Sequence, residues 1–104
     1  PQIKVLDWGE KPKNCDLVIN TTTVGLNANE KINLNFNDYK NKEILFYDLI
    51  YNPKETNFLR EARLRGNKTM NGQMMLINQA KHSFSLWTEI DPEIDSQLIK
   101  LLEK

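Results

Sequence analysis

Two short stretches of this chain are almost unbroken in apolar character: Leu17-Val18-Ile19, and Ile44 to Ile50 with one carboxylate, Asp48, inside it. A strand with one wet face alternates apolar and polar residues. A run that is apolar at successive positions has no face to give to water, and fits a parallel sheet covered on both sides. The first run stops in Thr21-Thr22-Thr23-Val24-Gly25, a small-residue loop that lets backbone approach a ligand closely. The second ends at Tyr51-Asn52-Pro53. Ile3 to Trp8 reads as a further short strand, ended by Pro12 and its lysines. Between the runs, Ile32, Leu34 and Phe36 alternate with Asn33, Asn35 and Asn37, which is extended spacing.

After Pro53 the period changes. Thr56 fits an N-cap, Leu59 and Ala62 repeat at helical spacing, and Gly66 stands where a C′ glycine belongs. Lys68 to Met70 reads as a short extended piece. Gly72 to about Thr88 is the longest helical pattern, with Leu76, Ala80, Ser83, Phe84 and Trp87 on one side. Asp91-Pro92 reads as the N-cap and first-turn proline of a last helix with the stripe Ile94, Leu98, Leu101. Strands alternating with helices argue for an α/β fold with a parallel sheet, of which 104 residues supply only part. A complete dinucleotide-binding unit opens with a glycine-rich turn on a helix N-terminus. This sequence has four separated glycines and no such turn.

Charge balances to zero, which gives no electrostatic reason to expect nucleic acid or an anionic membrane surface as partner. No apolar run approaches the ~18 residues of a membrane span, and no leader pattern precedes Ile3. The cytoplasm is the expected compartment. The lone Cys15 has no internal disulfide partner, makes no metal site by itself, and reads as a small core residue. The chain starts at Pro1, close to strand-like sequence, and so reads as part of something longer.

Several polar residues stand out. Gln79 shares a flank of the long helix with Leu76, Ser83 and Phe84. An amide there either bonds a neighbouring backbone group or binds a polar ligand; left unpaired and buried it costs ~1–3 kcal/mol. Tyr51 follows an apolar strand at its C-terminal end, where open α/β sheets bind ligands, or else covers the sheet edge. Asp48 needs donors, and backbone amides of the following turn are the expected ones. His82 reads as a surface residue. Arg60, Arg63 and Arg65 read as a solvated helix face, with phosphate gripping as the weaker alternative.

Wider patterns carry more. Asp16-Leu17-Val18-Ile19-Asn20-Thr21-Thr22-Thr23-Val24-Gly25-Leu26 resembles the D-L-I-I-N-A-T-S-x-G-M stretch of shikimate dehydrogenases. Asp48-Leu49-Ile50-Tyr51-Asn52-Pro53, then Thr56, Leu59, Ala62 and Gly66, is similar to that family's D-x-x-Y-x-P-x-x-T-x-x-L-x-x-A-x-x-x-G. Gly72 to Ala80 is similar to its G-x-x-M-L-x-x-Q-A, with Phe84 and Trp87 following at the family's spacing. The likeness runs from about Asp16 to Pro92, with departures at Thr21, Val24, Asn71 and Met74.

The resemblance implies an incomplete Rossmann-like NADP-binding domain: a partial parallel sheet plus C-terminal helices at about 72–104. It implies NADP as cofactor and interconversion of shikimate and 3-dehydroshikimate in aromatic amino-acid biosynthesis. Tyr51 and Gln79 match residues that contact the shikimate. Leu49 matches a position lining the nicotinamide pocket, Gly72 a glycine whose backbone lies against the nicotinamide, and Asn20, Thr21, Thr22 and Thr23 the loop beside the cofactor. The family's Lys–Asp acid–base pair belongs to its N-terminal domain, so no catalytic residue is expected here, and these residues alone are expected to be inactive. Helix faces that would pack on that domain predict self-association of the isolated chain. Two other readings stand beside this one: a quinate/shikimate dehydrogenase using NAD, and a non-catalytic binding domain.

Overall fold

The computed structural model describes residues 2–12, 14–40 and 43–103. The chain forms two compact units, Pro1–Gly72 and Gln73–Lys104. In the first, β1 (Leu17–Asn20), a 3-10 turn (Phe36–Tyr39), β2 (Leu45–Asp48), α1 (Asn57–Leu64) and β3 (Lys68–Met70) follow in order. The strands make one parallel sheet, β1-β2-β3. Leu17 pairs with Leu45 and Asn20 with Asp48, while Leu45 pairs with Lys68.

That register puts Val18, Phe46 and Thr69 on one face and Leu17, Ile19, Leu45, Tyr47 and Met70 on the other. The first face is the core. Phe46 is fully buried and its ring lies 5.4 Å from Phe58, 5.6 Å from Tyr39 and 6.1 Å from Phe36. Each such buried side chain contributes ~1.5–3 kcal/mol of transfer free energy, and the edge-on pairs add to it. Leu59 and Ala62 bring α1 onto the same cluster, and Cys15 and Val18 pack at its margin, half-buried. The second face departs from the expectation of cover on both sides: Leu17, Ile19 and Met70 are each about half exposed (47%, 48% and 48%).

Local chemistry explains most boundaries. Thr56 caps α1 as expected, its Oγ1 accepting from the Leu59 N–H at 3.3 Å. Gly66 follows the helix at φ +84°, a conformation that side chains resist. β3 lies where expected. The segment Ile32 to Phe36 is not a strand: Asn35 accepts from the Asn37 N–H and starts the 3-10 turn, so Ile32 and Leu34 reach the core from irregular backbone. Ile3 to Trp8 is not a strand either. Ile3, Val5 and Trp8 stay exposed (92%, 87% and 66%), so no burial selects the alternating form.

The second unit holds α2 (Gln73–Thr88) and α3 (Ser96–Leu102). α3 begins later than the Asp91-Pro92 signal. Asp95 is its N-cap, accepting from the Leu98 N–H at 2.9 Å, and Asp91 instead faces Lys81 Nζ at 3.4 Å. Ile94 therefore precedes the helix. Along α2 only Ile77 is buried, while Phe84, Leu86 and Trp87 are exposed. No helix among the described residues is long and apolar enough to cross a membrane.

The Tyr39 hydroxyl is buried with no hydrogen-bond partner among the described residues. Burial pushes its pKa above the ordinary phenol value of 10.0, with Cys15 and Asp38 adding to the shift. A raised folded-state pKa gives stability that holds below the ordinary phenol pKa and is lost as pH climbs past it. Tyr39→Phe removes an unsatisfied buried oxygen. Urea unfolding is expected to show a gain of ~1 kcal/mol and a shallower alkaline loss than the parent chain.

Candidate functional site

Parallel strands end on the same side, so the C-terminal ends of β1 and β2 deliver their loops to one place. β2 ends because Asp48 turns the chain: its Oδ1 accepts the Ile50 N–H at 3.0 Å, two residues on. The foreseen backbone donor is present, with two more that the sequence did not announce. Asn20 Nδ2 donates to Oδ1 at 3.2 Å and the Thr56 hydroxyl donates to Oδ2 at 2.6 Å. Asp48 is fully buried, and Asn20 and Thr56 nearly so. A buried carboxylate is tolerated when donors meet it, as they do here.

Asn20 shapes the loop after β1. Its Nδ2 also donates to Val24 O at 3.0 Å, and its Oδ1 accepts from the Thr22 N–H at 3.0 Å and the Thr22 hydroxyl at 2.6 Å. The Val24 N–H closes the turn on Thr22 Oγ1 at 3.1 Å. Glu30 fastens the far end, its Oε2 accepting from the Gly25 N–H at 2.9 Å and its Oε1 from Asn27 Nδ2 at 3.0 Å. These bonds, that of the Gly25 N–H first, hold the Glu30 carboxyl below its ordinary pKa.

Between the two loops lies an open cleft of about 390 Å³. Leu26, Leu49 and Ile50 give it apolar wall, and Thr22, Thr23, Tyr51 and Asn52 give it polar groups. The structure thus brings Thr22, Thr23, Leu49 and Tyr51 to one cleft. Thr22's single O–H is already committed to Asn20. Tyr51 is 48% exposed. Asn20 is buried with both ends of its amide engaged, so it acts on the cleft through the loop rather than by touching its contents. Thr21 is exposed and does not line the cleft. Leu26, Ile50 and Asn52 were not singled out from sequence; an apolar side chain in a loop carries no signal of its own. Nor was Glu30, one acid in a long polar stretch.

Gly72 follows β3, its N–H donating to Ile50 O at 3.1 Å. A Cβ built on it would sit 1.9 Å from Leu49 O, so two main chains touch where any side chain would intervene. Gln79 lies on α2, in the second unit, and is exposed. Its amide keeps its water, so the desolvation cost expected for an apolar stripe does not arise. His82 is exposed as well. The three arginines are engaged on the surface: Arg63 with Glu55 at 2.8 Å, Arg65 with Glu61 and with Asn37, and Arg60 with Asn57. Glu55 is held below its ordinary pKa by the Arg63 bond.

Two outcomes follow. Gly72→Ala forces β2 and β3 apart at their ends and is expected to cost ~3 kcal/mol in urea unfolding. Glu30 has a lowered folded-state pKa, so its grip is present above the ordinary carboxylate pKa of 4.5 and is lost as pH falls through the folded value. Amide exchange at Gly25 and Asn27 is expected to quicken over that acid range, and Glu30→Gln to flatten the dependence.

No protein-family model matches the chain. The shikimate dehydrogenase (NADP(+)) of Pelagibacter ubique is 46% identical over 103 residues, covering 99% of this chain and 38% of that protein. A crystal structure of a shikimate dehydrogenase in complex with NADP+ superposes with a TM-score of 0.69 at 36% identity, over 75% of this chain and 28% of that one. The quinate dehydrogenase of Corynebacterium glutamicum in complex with NAD gives 0.73 at 30% identity, over 86% and 31%. By sequence and by fold the chain is similar to one part of the shikimate dehydrogenases, and it spans less than two fifths of the length of these relatives.

Proposed function

We propose that these residues are the nicotinamide-side, C-terminal part of the NADP-binding domain of an oxidoreductase that interconverts shikimate and 3-dehydroshikimate, working in the cytoplasm as part of a longer chain. One observation carries the reading. The cleft at the ends of β1 and β2 unites Leu49, Tyr51, Thr22 and Thr23, all within the span that is 46% identical to a shikimate dehydrogenase.

The residues present fit one end of NADP. Leu26, Leu49 and Ile50 offer a flat, heteroaromatic ring an apolar wall, and the Thr23 hydroxyl offers a carboxamide a polar partner. They do not grip the phosphates: the sequence has no glycine-rich turn, and the arginines of α1 are paired with neighbours. When bound, the nicotinamide supplies hydride transfer at the carbon bearing the substrate's hydroxyl. Leu49 and Ile50 would face the bound ring with apolar surface. Tyr51 places its phenol where it can donate to a carboxylate or hydroxyl of the ring acid, and orients it. Gln79 is assigned to the substrate on its match to the family pattern, and Gly72 and the loop Asn20 to Thr23 to the cofactor side. Among the described residues Tyr51 is the one ionisable side chain lining the cleft, and the substrate oxygen's proton goes to an acid–base pair outside these residues.

The second reading is quinate oxidation with NAD, supported by the likeness to a quinate dehydrogenase in complex with NAD, at a TM-score of 0.73 and 30% identity. Steady-state kinetics of the full-length chain separate the two, by comparing kcat/KM for shikimate with NADP against quinate with NAD. Tyr51→Phe in that chain is expected to raise KM for shikimate about tenfold, the equivalent of ~1.4 kcal/mol for one hydrogen bond to a charged group. The 104 residues alone are expected to give no turnover. An unchanged KM in Tyr51→Phe, or turnover by the isolated segment, defeats the assignment.

A further inference from the structure

Three elements meet at one buried carboxylate. The fully buried Asp48 carboxylate takes the Ile50 N–H from its own turn, the Asn20 amide from β1 and the Thr56 hydroxyl from the N-cap of α1. Both walls of the cleft leave from this point. On one side the Asp48–Ile50 bond sets the direction in which Leu49 and Tyr51 emerge. On the other, Asn20 holds the Thr22–Val24 turn through its remaining polar atoms. Thr56 has its own double duty, because the oxygen that donates to Asp48 also accepts the Leu59 N–H and starts α1.

We infer that Asp48 and Thr56 are positioning residues that set the separation and aim of the two cleft walls, so that loss of their hydrogen bond misplaces Tyr51 and the threonine loop together. The chemistry favours this over a purely stabilising role. One carboxylate with donors from three elements fixes angles as well as distances, whereas apolar packing at the same place would leave the loop and turn free to choose their own. Asn20 also cannot shift toward Val24 without lengthening its bond to Asp48, so the two walls are coupled. The kinetic consequence rests on the oxidoreductase reading above; the structural consequence does not.

The test uses the full-length chain with Thr56→Val, which keeps volume and removes the hydroxyl, and Thr56→Ser, which restores it. Asp48→Asn is the second probe, since its amide has one acceptor oxygen and cannot accept at both positions, from Thr56 on one side and from Ile50 and Asn20 on the other. In amide NMR spectra, Thr56→Val and Asp48→Asn are expected to shift the signals of Thr22 to Val24 and of Leu49 to Tyr51 together, and Thr56→Ser to bring them back. In kinetics below the unfolding transition, KM for shikimate is expected to rise five- to twentyfold in both variants and to recover most of that in Thr56→Ser. KM does not depend on how much enzyme is folded, so a merely structural role would lower the unfolding midpoint and leave KM alone. That result, or loops whose signals do not move, overturns the inference. Failure of Thr56→Val and Asp48→Asn alike to fold also overturns it, by assigning the network to the fold. A wild-type chain that ignores shikimate, with loop signals that still move in concert, sinks the functional reading and leaves the positioning role standing.

Discussion

The Asp48 carboxylate is the constraint on which the rest of the first unit depends. It stands on the last paired rung of β1 and β2, opposite Asn20, in a place with no access to water. Water cannot solvate it there, so the chain itself must, and the donors come from a turn, a strand end and a helix cap. Meeting that need brings the ends of three elements to one point. The aromatic cluster of Phe36, Phe46 and Phe58 holds the elements together, but its attraction has no direction. The polar point decides how they end.

How much of this is legible in the sequence varies with range. Interactions that close within a few residues are readable: the Thr56 cap, Gly66 at C′ and the turn amide under Asp48 each follow from the residue and its position. Interactions that cross the chain are not. Nothing near Asp48 names Asn20, 28 residues away, as its partner. Competing local signals also mislead. Asp91-Pro92 and Asp95-Ser96 both offer cap chemistry, and the pairing of Asp91 with Lys81 leaves the second to start α3. Asn35 turns an alternating segment into a 3-10 turn by one side-chain bond. For the cleft, Leu49, Tyr51, Thr22 and Thr23 are visible through family likeness. The walls at Leu26 and Ile50 emerge only once the strands are laid side by side.

The likeness to relatives with different named substrates has a physical reading. Shikimate and quinate dehydrogenases superpose on this chain with similar closeness, so the scaffold of strand ends and loops is common to relatives named for different substrates. The arginines of α1 are held by Glu55, Glu61 and Asn57, and surface pairs of this kind contribute little to stability.

Gly72 sets a limit of another kind. At most positions a protein trades one residue for another by adjusting neighbours, and combinatorial libraries exploit that slack. Here the obstacle to a methyl group is a peptide oxygen, which has no alternative rotamer and cannot shrink. Any reshaping of this cleft therefore has to proceed through Leu26, Leu49, Tyr51 and the threonines, around a fixed seam where two stretches of backbone lie flush.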